Sequence, residues 1–126
     1  MSTSPLELVR EYLTAAEERR LEAASSYLDS EAVLIFPQGR FEGLDEMAAA
    51  MKDRYRSIGK THETWDVTSS GADTVVITTG SLHGINIHGI AFEGIRFCDR
   101  FVILDGLITE QHVWNDLAES GVLDLR

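Results

Sequence analysis

Apolar residues in the first third of the chain recur with the 3.6-residue period of an α-helix. Ser4 and Pro5 form a helix start, because a serine side chain caps free backbone amides and proline suits the first helical position. The apolar stripe of this helix consists of Leu6, Val9, Tyr12, Leu13 and Ala16. The pattern predicts helices from Pro5 to about Arg20, at about Leu21–Leu28 and at about Leu44–Ile58.

The rest of the chain has the two-residue alternation and the short apolar runs that are typical of β-strands. Strands are predicted at about 32–36, 63–70, 74–83, 90–104 and 107–116. Asp105-Gly106 favours a tight two-residue hairpin turn. Helices followed by a meander of antiparallel strands predict an α+β fold, with the helices on one face of a curved sheet and a ligand pocket between the two layers.

Asp99 is the most informative residue, because it lies on an apolar strand face. Alternation places Asp99 on the same face as Phe97 and Phe101, and it turns the two arginines of this strand to the other face. Burial of an unpaired carboxylate costs several kcal/mol or neutralises the group. Asp99 is therefore a functional carboxylate in a pocket, one half of a hidden salt bridge, or a residue turned outward by a bulge at Gly94.

Composition and charge restrict the functions that this chain can have. Its 126 residues suit one domain over 1–126 with a single core. The net charge of −10 argues against nucleic acid and anionic membranes as partners. One cysteine, Cys98, excludes an intramolecular disulfide and fits a cytoplasmic location. We see no leader before Pro5, no apolar run near the ~20 residues of a membrane span, and no motif that calls for a cofactor or a metal.

Four stretches of the chain form a family pattern. They are 8–12, 27–37, 39–43 before a helix, and the run from Asp99 through the Asp105-Gly106 hairpin to Trp114-Asn115-Asp116. In this order and spacing they resemble the nuclear transport factor 2-like superfamily, and within it the SnoaL-like and ketosteroid isomerase-like proteins. The resemblance implies a cone-shaped roll, in which three N-terminal helices pack on a strongly curved antiparallel sheet and enclose a mostly apolar cavity. It also implies a homodimer formed through the outer face of the sheet.

The resemblance assigns expected catalytic roles to three residues. Tyr12 matches the tyrosine, and Asp99 the strand aspartic acid, of the oxyanion hole in ketosteroid isomerases. The proton-transferring aspartate of those enzymes precedes the proline at position 37, where this chain has Phe36. Asp116 matches the aspartate that acts as general acid and base in SnoaL-like polyketide cyclases. The implied catalytic candidates are therefore Asp99, Tyr12 and Asp116.

The residues expected to line the cavity and bind substrate are mostly aromatic, and plain core packing is the alternative role for each aromatic one. They are Phe36, Tyr55, Trp65, Phe97, Phe101, Val113 and Asn115. The face of the last strand that lines the cavity is open. The isomerase resemblance favours the face with Val113 and Asn115, whereas the cyclase resemblance needs Asp116 to reach the cavity.

Histidines are a second source of candidate chemistry. His83, His88 and His112 are candidates because scytalone dehydratase-like members of the superfamily use histidines in their cavity. The alternative is that His83 and His88 flank a hairpin loop and are solvated. Catalysis by either of these two histidines is the less favoured interpretation.

Three functions are open at this stage. The main expectation is an enzyme that performs acid/base chemistry, namely isomerisation, cyclisation or dehydration, on a small, largely apolar substrate. The second is a binding module with the same cavity and no turnover. The third is a dimeric interaction domain whose cavity is filled by its own side chains.

Overall fold

The helical part of the chain packs on one side of a sheet. In the computed structural model, which describes residues 3–126, it comprises α1 (Pro5–Glu17), α2 (Leu21–Ser25), α3 (Leu44–Met51), α4 (Leu117–Ser120) and a 3₁₀ turn (Val122–Asp124). Residues 1 and 2, part of the segment predicted to hold no leader, lie outside the described residues. None of the described helices is long and apolar enough to cross a membrane.

The strands form one curved, open sheet with the order β2-β1-β6-β5-β4-β3. They are β1 (Leu28–Phe36), β2 (Gly39–Phe41), β3 (Tyr55–Ser70), β4 (Asp73–Asn86), β5 (Ala91–Leu104) and β6 (Leu107–Asn115). Neighbouring strands are antiparallel except β1 and β6, which run parallel. The predicted α+β class is confirmed, although no strand was predicted where β2 lies.

Helix α1 covers the inner face of the sheet. The side chain of Ser4 accepts a hydrogen bond from the backbone amide of Glu7 at 3.2 Å, so the predicted helix cap is confirmed. Val9 and Tyr12 are buried in one apolar cluster with Phe101 of β5. Because α1 packs directly on β3 and β4, its buried apolar residues cover the middle of the sheet.

Two predicted helix ends are wrong, because strand pairing takes over there. Helix α3 ends at Met51 rather than near Ile58, since the chain pairs with β4 from Tyr55 onward. Helix α2 ends at Ser25, and β1 already begins at Leu28. In both places the helical spacing of apolar residues continues beyond the helix. The backbone N–H and C=O groups there nevertheless bond to a neighbouring strand, so the chain is extended.

Bulges in β3 and β6 decide which side chains face the helices. Strand β3 has one extra residue after His62, so that His62 and Trp65 both lie on the inner face. Strand β6 has one extra residue between Ile108 and Gln111, and both of these are buried. Each pair is three residues apart, and a regular strand would turn its members to opposite faces. The simple alternation assumed for the last strand is therefore wrong at its start.

Glycine permits two further departures from regular strand geometry. Strand β5 bulges at Gly94, whose φ of +74° is easily accessible to glycine. The bulge precedes Asp99 and leaves that side chain on the inner face. In the hairpin between β5 and β6, Asp105 and Gly106 have φ angles of +52° and +79°, as the predicted two-residue turn requires.

Asn86, at the end of β4, fastens the C-terminal segment to the sheet. Its Nδ2 donates to the carbonyl oxygens of Val122 at 2.9 Å and Leu125 at 2.8 Å. Its Oδ1 accepts from the backbone amides of His88 at 2.9 Å and Ile90 at 3.0 Å. The side chain has no exposed surface, so every polar atom of this amide is satisfied within the protein.

We expect Asn86→Ala to lower the free energy of unfolding by about 2–4 kcal/mol, because several backbone groups lose their partner at once. Urea denaturation at pH 7 measures this change. Asn115→Ala is the matched control, since among residues 3–126 the Asn115 side chain accepts only from the amide of Leu117, at 3.1 Å, and its loss should lower the free energy of unfolding by about 1 kcal/mol. Equal losses in the two variants would contradict the role given to Asn86.

Candidate functional site

The centre of the inner sheet face is a polar patch under α1. Thr78 of β4 and Val113 of β6 pair with Asp99 of β5, and the side chains of Thr78 and Asp99 have no exposed surface. Phe97 and Phe101 lie on the same face and are 4% and 0% exposed. The strand face assigned to Asp99 is therefore confirmed. We call the group of Lys60, His62, Thr78 and Asp99 the inner polar cluster.

Asp99 forms an ion pair with a lysine from β3. Lys60 Nζ donates to Asp99 Oδ2, and the lysine side chain keeps 21% of its surface exposed. The other carboxylate oxygen, Oδ1, is buried and accepts no hydrogen bond from any of residues 3–126. The hidden salt bridge expected as one alternative is therefore present, and Asp99 Oδ1 is still free to accept a hydrogen bond.

His62 lies beside this ion pair and is held in place on three sides. Its Nδ1 is 2.8 Å from the hydroxyl oxygen of Thr78, and its ring stacks on Trp65 with centroids 4.6 Å apart. Phe97 contacts it edge to face at 5.4 Å. Burial and the nearby Lys60 ammonium lower the pKa of His62 below its usual 6.5. The imidazole is therefore neutral at pH 7 and can accept a proton.

Tyr12 of α1 closes the cluster from above. Its hydroxyl donates to Gln111 Oε1 at 2.6 Å, and its ring meets Phe101 edge to face at 6.0 Å. Burial, and then the charge of Asp99, raise the pKa of Tyr12, so the phenol stays protonated at any physiological pH. Only 1% of this residue is exposed. Tyr12 would have to give up its bond to Gln111 before it could donate to a ligand.

Asp116 lies apart from the other two catalytic candidates. Its Oδ2 accepts from Arg96 Nε at 2.5 Å, and its side chain is 36% exposed at the start of α4. Arg96 belongs to the face of β5 opposite to Asp99. The structure therefore brings Tyr12 and Asp99 together and places Asp116 apart from them, at the start of α4. The catalytic roles of all three stay predictions.

The predicted substrate-binding residues occupy several different places. A cleft of about 520 Å³ at the end of β6 is lined by Phe36, Phe97, Val113 and Asn115, together with Asp116 and residues of the outer face. Trp65 belongs to the surroundings of His62, Phe101 is sealed in the core, and Tyr55 lines a different cleft of about 470 Å³. Val113 faces inward with Gln111, as the isomerase resemblance implies.

The histidines considered from the sequence lie outside the inner polar cluster. His112 stacks on Trp114 with ring centroids 3.7 Å apart, on the outer face of the sheet, and His83 and His88 are exposed. Within residues 3–126, no three His, Cys, Asp or Glu side chains are grouped so as to share a metal ion.

The sequence interpretation missed three of the four residues of the cluster. Thr78 lay within a predicted strand but was not singled out, whereas Lys60 and His62 were not assigned to any element. The helix predicted to Ile58 and the strand predicted from residue 63 left them in an unassigned connection. Strand alternation through Ile58, Lys60 and His62 was the available signal, since it places a basic residue and a titratable residue on one face. Extending the strand back to Ile58 would have placed Lys60 and His62 together on the face of Ile58.

Comparison with known proteins agrees with the fold. The SnoaL-like domain family matches residues 9–111, most of the chain. The chain belongs to the SnoaL-like domain family. The superfamily resemblance seen in the sequence is thereby confirmed. No curated protein matches this SnoaL-like chain.

Solved structures give the same picture of the fold. TerC, co-crystallised with polyporic acid, superposes with a TM-score of 0.76 at 14% identity and covers 95% of this chain and 98% of its own. A candidate ketosteroid isomerase from Shewanella frigidimarina NCIMB 400 has a TM-score of 0.70 at 16% identity, covering 85% and 91%. A candidate polyketide cyclase from Pseudomonas putida KT2440 has 0.61 at 19%, covering 90% and 92%. At these identities the likeness shows the fold alone.

We expect Lys60→Met to lower the free energy of unfolding by about 2–4 kcal/mol, because it leaves the Asp99 carboxylate buried without a counter-charge. Adding Asp99→Asn should recover at least half of the loss, since the neutral amide removes the stranded charge. Urea denaturation at pH 7 measures both variants. Lys52→Met, at an exposed position, is the control and should change stability by less than about 0.5 kcal/mol. A double variant no more stable than Lys60→Met would argue against the ion pair.

Proposed function

We propose that this SnoaL-like protein is an enzyme that moves a proton on a small, largely apolar molecule, with His62 as the group that takes and returns it. Isomerisation, cyclisation and dehydration are the reaction classes that such a transfer serves. The observation that carries the proposal is a neutral, half-buried imidazole fixed between two aromatic rings and a threonine, next to an ammonium group.

The chemistry requires the tautomer of His62 in which Nδ1 carries the proton, and the Thr78 hydroxyl 2.8 Å away can accept that proton in a hydrogen bond. When Nδ1–H donates to the Thr78 hydroxyl, the lone pair of Nε2 is free to accept a proton from carbon. Nε2 has no hydrogen-bond partner among residues 3–126. Thr78 is fully buried, so it holds the ring in one orientation and acts as a positioning residue.

Lys60 supplies the matching positive charge. Its ammonium group is close enough to His62 to lower the pKa of the imidazole, and it lies 5.2 Å from the ring centroid of Phe97. If His62 removes a proton from the carbon beside a carbonyl, the Lys60 ammonium stabilises the negative charge that develops on the carbonyl oxygen. His62 then returns the proton to another carbon. Asp99 acts through Lys60 in this scheme, because it fixes the ammonium group.

Family membership supports the reaction class. Neighbours of the same fold include proteins described as candidate ketosteroid isomerase and candidate polyketide cyclase, and one neighbour was crystallised with polyporic acid. The descriptions of these neighbours are compatible with a cavity that receives a small, largely apolar molecule. The aromatic surroundings of His62, formed by Trp65 and Phe97, supply the apolar contact that such a substrate needs.

We expect the protein to catalyse deuterium exchange into 2-tetralone, a small ketone with acidic C–H bonds, when followed by proton NMR in D₂O. His62→Gln should reduce the catalysed rate by about 10²- to 10⁴-fold, because the amide cannot take up the proton. His83→Gln, at an exposed histidine, is the matched control and should keep the wild-type rate. An unchanged rate in His62→Gln would remove this residue from the mechanism, and binding without exchange would favour the non-catalytic alternative.

We expect the rate of this exchange, measured as a function of pH, to fall at acidic pH with a midpoint below pH 6.5. His62 must be unprotonated to act as the base, and its lowered pKa keeps it unprotonated to below that pH. Lys60→Met should move this midpoint to higher pH, since the ammonium group is one cause of the lowered pKa.

The outer sheet face supports a further proposal, that the protein forms a homodimer there. Trp114 is 47% exposed, although its ring stacks on His112. Cys98, beside Trp114 in the register, and Ile77, which pairs with Arg100, belong to the same outer face. An exposed tryptophan on a sheet face is typical of a protein interface.

Light scattering coupled to size-exclusion chromatography should give a dimer for the wild-type protein and a monomer for Trp114→Glu, because a charge at this position opposes burial. Val67→Glu is the control, since Val67 is 50% exposed but lies on the inner face of the sheet, away from Trp114. A wild-type monomer, or a dimer that tolerates Trp114→Glu, would contradict this arrangement.

A further inference from the structure

We propose that the cleft between α1, α3 and the start of β3 binds a small molecule with an apolar body and an anionic group, with Arg19 and Lys52 as the groups that hold the anion. This cleft measures about 470 Å³, which is the size of a small-molecule site. We call it the basic cleft. Its assignment concerns binding, and it holds whether or not His62 transfers protons.

The floor of the basic cleft is apolar. It is lined by Leu21, Met47, Met51, Tyr55 and Ile58. Methionine side chains adapt to differently shaped ligands, because they are unbranched and polarisable. The floor therefore fits an apolar body without demanding one particular outline.

Arg19 reaches this cleft from a strained backbone position. It follows the C-terminus of α1 with a φ of +59°, in the left-handed region that glycine usually occupies. Its Nη2 donates to the carbonyl oxygen of Arg56 at 2.9 Å, which fixes the guanidinium at the cleft. The single bond to a carbonyl leaves the other N–H groups available to an anion.

The two cations of the cleft are available to a ligand. Within residues 3–126, neither Arg19 nor Lys52 forms a salt bridge with a carboxylate. The cleft lining carries these two basic side chains and one acidic side chain, Glu17, although the whole chain carries a net charge of −10. The local charge of the cleft is therefore positive, and a ligand anion is the complementary group.

Glu17 of α1 also lines the basic cleft, and its charge acts on His62 of the inner polar cluster. Arg19 and Lys52 are exposed, so an anion that they hold lies at the solvent side of the cleft. The apolar part of such a ligand then lies on the apolar floor. A ligand with one anionic end is oriented by this arrangement, with its anion outward and its apolar body inward.

The test compares two fluorescent probes that differ in one group. 8-Anilinonaphthalene-1-sulfonate carries a sulfonate, and N-phenyl-1-naphthylamine is the same molecule without it. Fluorescence titration of the full chain should show that the sulfonate probe binds about tenfold more tightly, the size of one charge-assisted contact. Arg19→Gln and Lys52→Gln should each remove most of that preference and leave the affinity for the neutral probe unchanged, which also reports that the variants are folded.

Matched variants separate contact in the cleft from general charge attraction. Arg20→Gln removes the same charge from a neighbouring residue that is paired with Glu18 and does not line the cleft, and it should have no effect. Ala48→Glu places a carboxylate in the cleft and should abolish sulfonate binding, whereas Ala49→Glu on the exposed side of α3 should not. Equal affinity for both probes, or equal effects within either pair of variants, would overturn the proposal.

Discussion

A carboxylate without solvent contact is the constraint on which the inner face of the sheet depends. Asp99 lies between Thr78 and Val113 in the middle of the sheet, where desolvation of an ion costs several kcal/mol unless a counter-charge offsets it. Lys60 supplies that charge from β3. It pairs with Leu82, four residues along β4 from Thr78, so its side chain runs diagonally across the concave face. Curvature of the sheet shortens this diagonal, and the ion pair in turn ties β3 to β5 across β4.

The same ammonium group shapes the chemistry of the cluster. The ion pair with Asp99 holds Lys60 near His62, and burial together with the Lys60 charge lowers the pKa of the imidazole, which is therefore neutral at pH 7. A neutral base and a fixed cation side by side are what proton removal next to a carbonyl requires. Asp99 Oδ1 is a buried polar atom of the cluster that accepts no hydrogen bond within residues 3–126.

The sequence predicts the parts of this arrangement that depend on local pattern, and it fails where pairing between distant strands decides. The cap of α1, the hairpin at Asp105-Gly106 and the inward face of Asp99 follow from residue type and alternation. Lys60 and His62 were missed because the apolar stripe of α3 continues to Ile58 while the backbone has already joined the sheet. The bulge that brings Trp65 onto the face of His62 contains no glycine or proline that would indicate it in the sequence. It depends on the register with β4, which local pattern does not show.

Charge acts on two length scales in this molecule. At physiological ionic strength the net charge of −10 is screened beyond about 8 Å, so it discourages the approach of anions only weakly. Arg19 and Lys52 act at contact distance, where screening is small, and they lie at the rim of an apolar cleft. A ligand selected in this way must carry enough apolar surface to stay bound by contact, because the field of the whole protein does not attract it. Recognition at the basic cleft therefore favours an amphipathic molecule over a small, fully hydrated anion.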